Sequence, residues 1–109
     1  MTMAHTFKII QEQEEDGCWM FKVEVEPQGE ASPVRLRLLR LSWEDYDLWV
    51  RDGTVEPAAV GLAILKYLET CCEIADLPER IDSSYPRRRA PQADGAIAAL
   101  IDPVMFREQ

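Results

Sequence analysis

The chain contains 109 residues, of which 47% are hydrophobic and 29% are charged, and its formal net charge is -8. This length predicts a single domain over 1–109 and excludes a catalytic domain joined to a separate regulatory one. The acidic balance disfavours general attraction to nucleic acids or anionic lipids. No apolar run reaches the length of about 18 residues that spans a membrane, and the N-terminus lacks a signal-peptide pattern, so we expect a cytoplasmic protein.

Two strands joined by a tight turn open the predicted structure. An apolar start predicts a strand over 6–14, and the dipeptide Asp16-Gly17 is typical of a hairpin turn. The segment 18–26 alternates between apolar and polar residues, which predicts a strand with one face in the core. The residues predicted to face the core are Trp19, Phe21, Val23 and Val25.

The stretch 34–41 is the third predicted strand. Its alternating apolar residues are expected to face the core, and Leu41 then follows a change of face or a bulge. The expected core residues are Val34, Leu36 and Leu38. Charged residues are expected to form outward-facing cross-strand pairs with the second strand: Arg35 and Arg37 with Glu24 and Glu26.

Helices are predicted to follow the strands. Ser42 is placed as the N-cap of a short helix over 43–51. The main helix starts near Pro57, whose missing N–H costs nothing in a first turn. Between 58 and 68 its only strongly polar residue is Lys66, so we expect it to be buried across the sheet, or also against another subunit.

The remainder of the chain is predicted to be less regular. The segment 77–93 is rich in proline and arginine and is predicted to be irregular, and a weak helix is predicted over 94–101. Strands that precede helices in this order predict an α+β fold. A three-stranded antiparallel β-meander would pack against one main helix and one or two short helices.

The sequence predicts no catalytic residue, no cofactor site and no metal site. His5 is the only histidine and lies in a terminal segment, so histidine-based triads and multi-histidine metal sites are excluded. Cys71 and Cys72 are predicted to be buried thiols, with soft-metal binding or a vicinal disulfide as the alternatives. The phosphate-binding and nucleophile motifs GxGxxG, GxxxxGK[ST] and GxSxG are absent from the sequence.

Two groups of residues are candidates for interaction. In the first short helix, Trp43, Tyr46 and Val50 share a face that is predicted to pack on the sheet. Trp49 is predicted to turn partly away from the sheet, and aromatic residues with one exposed side are common in protein interfaces. Both tryptophans, Trp43 and Trp49, are therefore candidate partner contacts.

The second group is the arginine run, Arg87, Arg88 and Arg89, which follows Tyr85. Arginine forks could clamp phosphate or carboxylate, and Tyr85 could stack on a base. A nucleic-acid groove needs a broader basic patch than this, whereas pairing with the acidic hairpin "EQEEDG" would fasten the C-terminal segment to the body. We favour that fastening role, or plain solvation, over nucleic-acid binding.

The phrases "YLE" at 67–69 and "LPERIDSS" at 77–84 resemble a set of short bacterial proteins of unknown function. In those proteins an N-terminal β-meander leads to a helix ending in a phrase like "FLLE" and then to "LPxRFDLS". The resemblance implies a small α+β domain and carries over no functional residue. The stretch "TCCEIAD" and the arginine run depart from that pattern.

Three functional hypotheses follow. The first is a non-enzymatic protein-interaction module that can self-associate, as a homodimer for example. The second is a small-ligand-binding or enzymatic domain with a pocket between sheet and helix. The third is nucleic-acid binding through the arginine run.

Overall fold

The computed structural model describes residues 5–27, 34–50, 55–71 and 77–101. The elements in chain order are β1 (His5–Glu15), β2 (Cys18–Pro27), β3 (Arg35–Ser42), α1 (Trp43–Trp49), α2 (Pro57–Cys71), β4 (Arg80–Asp82), α3 (Tyr85–Arg89) and α4 (Ala93–Ile101). Strands β1 to β3 form the predicted antiparallel meander, and β4 joins β3 in parallel. The α+β class is confirmed, but within the described residues the sheet is mixed and has four strands, and three short helices accompany the main helix where one or two are predicted.

The hairpin between β1 and β2 forms as the sequence predicts. Gly17 has a φ of 82°, a conformation that residues with a side chain rarely adopt. The register slips by one residue between Ile9 and Gln11, so the two halves of β1 are separated by a bulge. Phe21, Val23 and Val25 are buried, as their alternation predicts.

The facing predicted for β3 is wrong by one residue. Leu39 and Leu41 are buried, whereas Val34 and Leu36 are 47% and 49% exposed. Leu39 lies opposite Phe21, and this core contact fixes the phase of the strand. The expected charge pairs are lost with that phase, because the register places Arg35 and Arg37 opposite Val25 and Val23, and Leu36 opposite Glu24.

Helix α2 packs across the core face of the sheet. Gly61 permits this approach, since a Cβ atom there would lie 3.3 Å from a methyl carbon of Leu39. Helix α4 packs on α2, and Ile97 of α4 belongs to the same buried cluster as Ile64 and Leu65 of α2. The apolar character of α2 on most sides is thus used within the chain by the sheet and by α4.

Part of the segment predicted to be irregular is ordered. Residues 77–93 contain β4 and α3, and α4 begins within them. The N–H of Leu38 donates to the carbonyl of Glu79, and the N–H of Ser83 donates to the carbonyl of Arg40, both at 2.8 Å. Three residues are too few to show the alternation of apolar and polar residues that is typical of a strand. Strand β4 is therefore recognised by its backbone pairing with β3.

Within the described residues, no helix is long and apolar enough to cross a membrane. Cys72 lies outside the described residues, as does residue 51, the last residue of the helix predicted over 43–51.

Candidate functional site

Arg87, the first residue of the arginine run, joins three helices. Its Nη2 donates to Oδ1 of Asp45 at 2.7 Å, and its Nε donates to Oδ2 of Asp94 at 2.9 Å. Asp45 belongs to α1 and Asp94 to α4, so the guanidinium of α3 bridges them. The hydrogen bond to Asp94 and, to a smaller extent, the hydrogen bond to Asp45 raise the pKa of Arg87. The hydrogen bond from Arg87 is in turn the largest cause of the lowered pKa of Asp94.

The carboxylate of Asp45 is buried, with 7% of the residue exposed, and both of its oxygens accept hydrogen bonds. Ser83 Oγ donates to Oδ2 of Asp45 at 2.6 Å, and itself accepts the backbone N–H of Ser42 at 3.2 Å. Ser42 is the predicted N-cap of α1, and its Oγ accepts the N–H of Asp45 at 3.1 Å. This buried charge is therefore paired and hydrogen-bonded.

The tryptophans of α1 are placed oppositely to the prediction. Trp49, expected to turn away, is buried, and its Nε1 donates to Oδ1 of Asp94 at 3.1 Å. Trp43, expected to pack on the sheet, is 41% exposed. It lies at the edge of an aromatic cluster in which its ring is 6.3 Å from that of Trp19, which in turn is 5.2 Å from Tyr46.

The other two arginines of the run face solvent beside Tyr85. The guanidinium carbons of Arg88 and Arg89 lie 6.0 and 5.7 Å from the centre of the Tyr85 ring, within the range of cation–π contact. The structure thus separates Arg87 from Arg88 and Arg89. The fastening role favoured from the sequence fits Arg87, but its partners are aspartates of α1 and α4 and not the acidic hairpin.

Sequence reasoning missed Asp45, Ser83 and Asp94 as partners of Arg87. Ser83 lies within the segment 77–93 that is predicted to be irregular, and Asp94 directly follows that segment. The available signal was that Asp45 and Asp94 each stand in the first turn of a predicted helix. A single arginine between two such helices can hydrogen-bond to both aspartates, but their proximity follows only from the tertiary structure.

A second ion pair lies at the end of β4. Arg40 Nη1 donates to Oδ1 of Asp82 at 2.9 Å, and Ser84 donates to Oδ2 through its hydroxyl and its backbone N–H. Burial would raise the pKa of Asp82, but the hydrogen bonds from Ser84 and Arg40 outweigh it and hold the pKa below its ordinary value.

An open groove of about 460 Å³ joins the two ion pairs. Its lining residues are Gly17, Arg40, Ser42, Trp43, Glu44, Asp45, Asp82, Ser84 and Arg87. Both arginines and carboxylates line the groove, and the exposed ring of Trp43 lies at its border. Its arginines already bind aspartates, so a ligand there would compete with internal pairs.

The second face of the sheet is a separate candidate surface. The buried core cluster lies on the face of Phe21 and Leu39, and the buried apolar side chains of α1, α2 and α4 belong to it. On the opposite face, hereafter the open face, two adjoining depressions of about 350 and 340 Å³ share Glu15, Met20, Leu38 and Arg80 as lining residues. The second depression shares Arg40 and Asp82 with the groove, so the concave surface is continuous.

His5 and the described cysteines are the remaining candidate groups. In the described part of the chain, no group of three or more His, Cys, Asp or Glu residues could hold a metal ion. The backbone N–H of His5 donates to Oε2 of Glu69 at 2.5 Å, and the His5 ring lies 3.1 Å from the same oxygen, which ties β1 to α2. Cys71, predicted to be buried, is exposed, whereas Cys18 is buried.

Comparison of the chain with protein-family models, with curated proteins and with solved structures finds no match. The resemblance to short bacterial proteins stays a prediction.

Proposed function

We propose that the protein is a non-enzymatic interaction module that binds another protein chain through its open face. The proposal rests on one observation: among the described residues, the helices cover one face of the sheet and leave the other face exposed. The buried core of the described residues lies on one face, while Val34 and Leu36 on the other are about half exposed. A solvent-exposed face is ordinary for an antiparallel sheet. Half-exposed aliphatic side chains beside a continuous concave surface, however, favour a binding site for a partner.

The internal pairing of the polar groups supports a non-enzymatic role. Arg87 and both oxygens of Asp45 are held by structural hydrogen bonds, as is Asp82 by Arg40 and Ser84. A catalytic carboxylate pair needs surroundings that separate two pKa values, and these carboxylates are instead neutralised by neighbouring arginines. Because Arg87 is paired with aspartates, Arg88 and Arg89 are the two residues of the arginine run that could contact a nucleic acid. We do not propose nucleic-acid binding.

A photo-crosslinking residue at position 36 tests the proposal. We expect protein adducts from position 36 in cells that express the protein, and none from a matched probe at position 66. Lys66 is exposed on α2, on the core side of the sheet. Adducts with a second copy would assign self-association to the open face. Equal adducts from both positions, or none from position 36, would contradict the proposal.

A small-ligand role is the second candidate, and the groove beside Trp43 favours it. An exposed aromatic ring next to Arg40 and Arg87 could hold a flat, charged molecule. A fragment screen observed by NMR would support this role if shifts concentrated at Trp43 and were lost in Trp43→Ala. Shifts scattered over the surface would exclude it.

A further inference from the structure

The groove between the two ion pairs carries a fixed aromatic ring at its border. The Trp43 residue is 41% exposed, and the centre of its ring lies 6.3 Å from that of Trp19. The backbone N–H of Trp43 donates to the carbonyl of Gly17 at 3.0 Å, which fixes the start of α1 to the turn between β1 and β2. A ring held in this way offers a flat apolar surface that a ligand does not first have to order.

The rest of the groove lining is almost entirely polar. Apart from Trp43 and Gly17, every lining residue carries a charged group or a hydroxyl: Arg40, Ser42, Glu44, Asp45, Asp82, Ser84 and Arg87. Small-molecule sites are usually lined mainly by apolar side chains, with a few polar groups that orient the ligand. This groove reverses that proportion, so a mainly apolar ligand would leave polar groups without hydrogen bonds. The lining favours a ligand that is rich in polar groups and has one apolar face for Trp43.

The charges of the groove oppose a ligand of either sign. Arg40 and Arg87 are paired with aspartates, yet their side chains are 46% and 36% exposed, and both would repel a cation. Glu44 is exposed and forms no ion pair with the described residues, so it would repel an anion. The half-exposed Asp82 and the net charge of -8 act in the same direction as Glu44. A neutral ligand meets neither repulsion.

Hydrogen-bonding groups of both kinds remain free in the groove. Arg87 donates to aspartates through its Nε and Nη2, and within the described residues its Nη1 makes no hydrogen bond. The carboxylate of Glu44 accepts none from the same part of the chain. A hydroxyl group both donates and accepts, so neighbouring hydroxyls of one ligand can bind a carboxylate and a guanidinium together. Such a ligand leaves the ion pair of Arg87 with Asp45 intact.

From these features we propose that the groove beside Trp43 binds a neutral saccharide. The C–H groups on one side of a sugar ring are slightly positive and pack on the negative face of an indole, while the hydroxyls reach the polar lining. The groove volume of about 460 Å³ lies within the range of small-molecule sites. The inference rests on the small-ligand role and specifies its ligand, because a flat, charged molecule would compete with the internal pairs of Arg40 and Arg87.

NMR titration of the full chain with uncharged disaccharides tests this inference. The panel consists of maltose, cellobiose, lactose and chitobiose. We expect at least one of them to shift the backbone and indole N–H signals of Trp43, with a Kd on the order of 1 mM. The affinity should change by less than about twofold between low salt and about 0.5 M salt, because no charge on the ligand is screened. Analogues of that disaccharide carrying a carboxylate or an amine should bind at least about threefold more weakly.

Two alanine variants of α1 supply the matched control. Trp43→Ala removes the aromatic ring and should weaken disaccharide binding at least about tenfold. Leu48→Ala removes another exposed apolar side chain of the same helix that does not line the groove, and it should change the affinity by less than about twofold. Trp43→Phe keeps a smaller ring and should give an intermediate affinity. The amide spectrum of each variant shows that it is folded.

Several outcomes would overturn the inference: no shift with any neutral disaccharide at about 50 mM, shifts away from Trp43, tighter binding of a charged analogue, or equal effects of Trp43→Ala and Leu48→Ala. A charged aromatic fragment bound at Trp43, combined with failure of every saccharide, would overturn this inference and leave the small-ligand role intact. The crosslinking at position 36 reports on the open face, so its result is independent of both.

Discussion

Arg87 and Asp45 stand 42 residues apart in the chain and are joined by a hydrogen bond of 2.7 Å between Nη2 and Oδ1. The same guanidinium binds Asp94, so α3 holds the start of α1 to the start of α4. Asp45 is buried, and among the described residues Arg87 is the cation that pairs with it, so this pair links the C-terminal segment to the body.

Replacing Arg87 should therefore destabilise the protein. Arg87→Ala leaves the buried carboxylate of Asp45 without its cation, and we expect a loss of about 2 kcal/mol in the free energy of unfolding, less than for a fully buried pair because Arg87 is partly exposed. Urea denaturation measures it. The neighbouring variant Arg88→Ala should change stability by less than about 0.5 kcal/mol, and equal losses in both variants would contradict the role of Arg87.

Stability should fall in acid through the paired aspartates. The folded-state pKa values of Asp94 and Asp82 are lowered, so their contribution is present above about pH 4, where unfolded aspartates titrate, and is lost as pH falls through the folded values. Urea denaturation from pH 6 to pH 2 measures this loss. Asp94→Asn should show a shallower decline than the parent protein, and an unchanged slope would show that Asp94 contributes nothing to it.

The tryptophans of α1 should differ in solvent access. Trp43 is exposed, so Trp43→Phe should remove much of the tryptophan fluorescence that acrylamide can quench. Trp49 is buried, so Trp49→Phe should leave this quenchable fluorescence largely unchanged. Trp49→Phe should also cost about 1 kcal/mol, since the hydrogen bond from its Nε1 to Asp94 is lost. Greater loss of quenching in Trp49→Phe would reverse the assignment of exposed and buried rings.

Two helical glycines should respond oppositely to a side chain. Gly61→Val places methyl groups where even a Cβ would lie 3.3 Å from Leu39, so we expect a loss of about 2 kcal/mol. Gly95→Ala in α4 meets no atom within 4 Å and should gain roughly 0.5–1 kcal/mol from improved helix propensity. Thermal unfolding measures both changes, and a stabilised Gly61→Val would mean that α2 does not approach the sheet this closely.

The sequence predictions succeeded where the structural feature depends on residues that are close together in the chain. The hairpin at Gly17, the N-cap Ser42 and the first-turn Pro57 act through neighbouring residues, and all three are confirmed. Strand β3 offered apolar residues in two opposite phases, and its own sequence could not choose between them. The choice follows from the contact of Leu39 with the core, which lies on other elements.

Local sequence patterns thus predict the α+β class, the order of meander and helices, and most element positions, because turn geometry, capping and alternation are set within a few residues. Three relationships become visible in the folded chain alone: residues 80–82 pair with β3, Arg87 is held by aspartates while Arg88 and Arg89 face solvent, and Lys22 and Arg80 flank Leu38. Those relationships join residues far apart in the chain, and they depend on a register and a packing that no local pattern encodes.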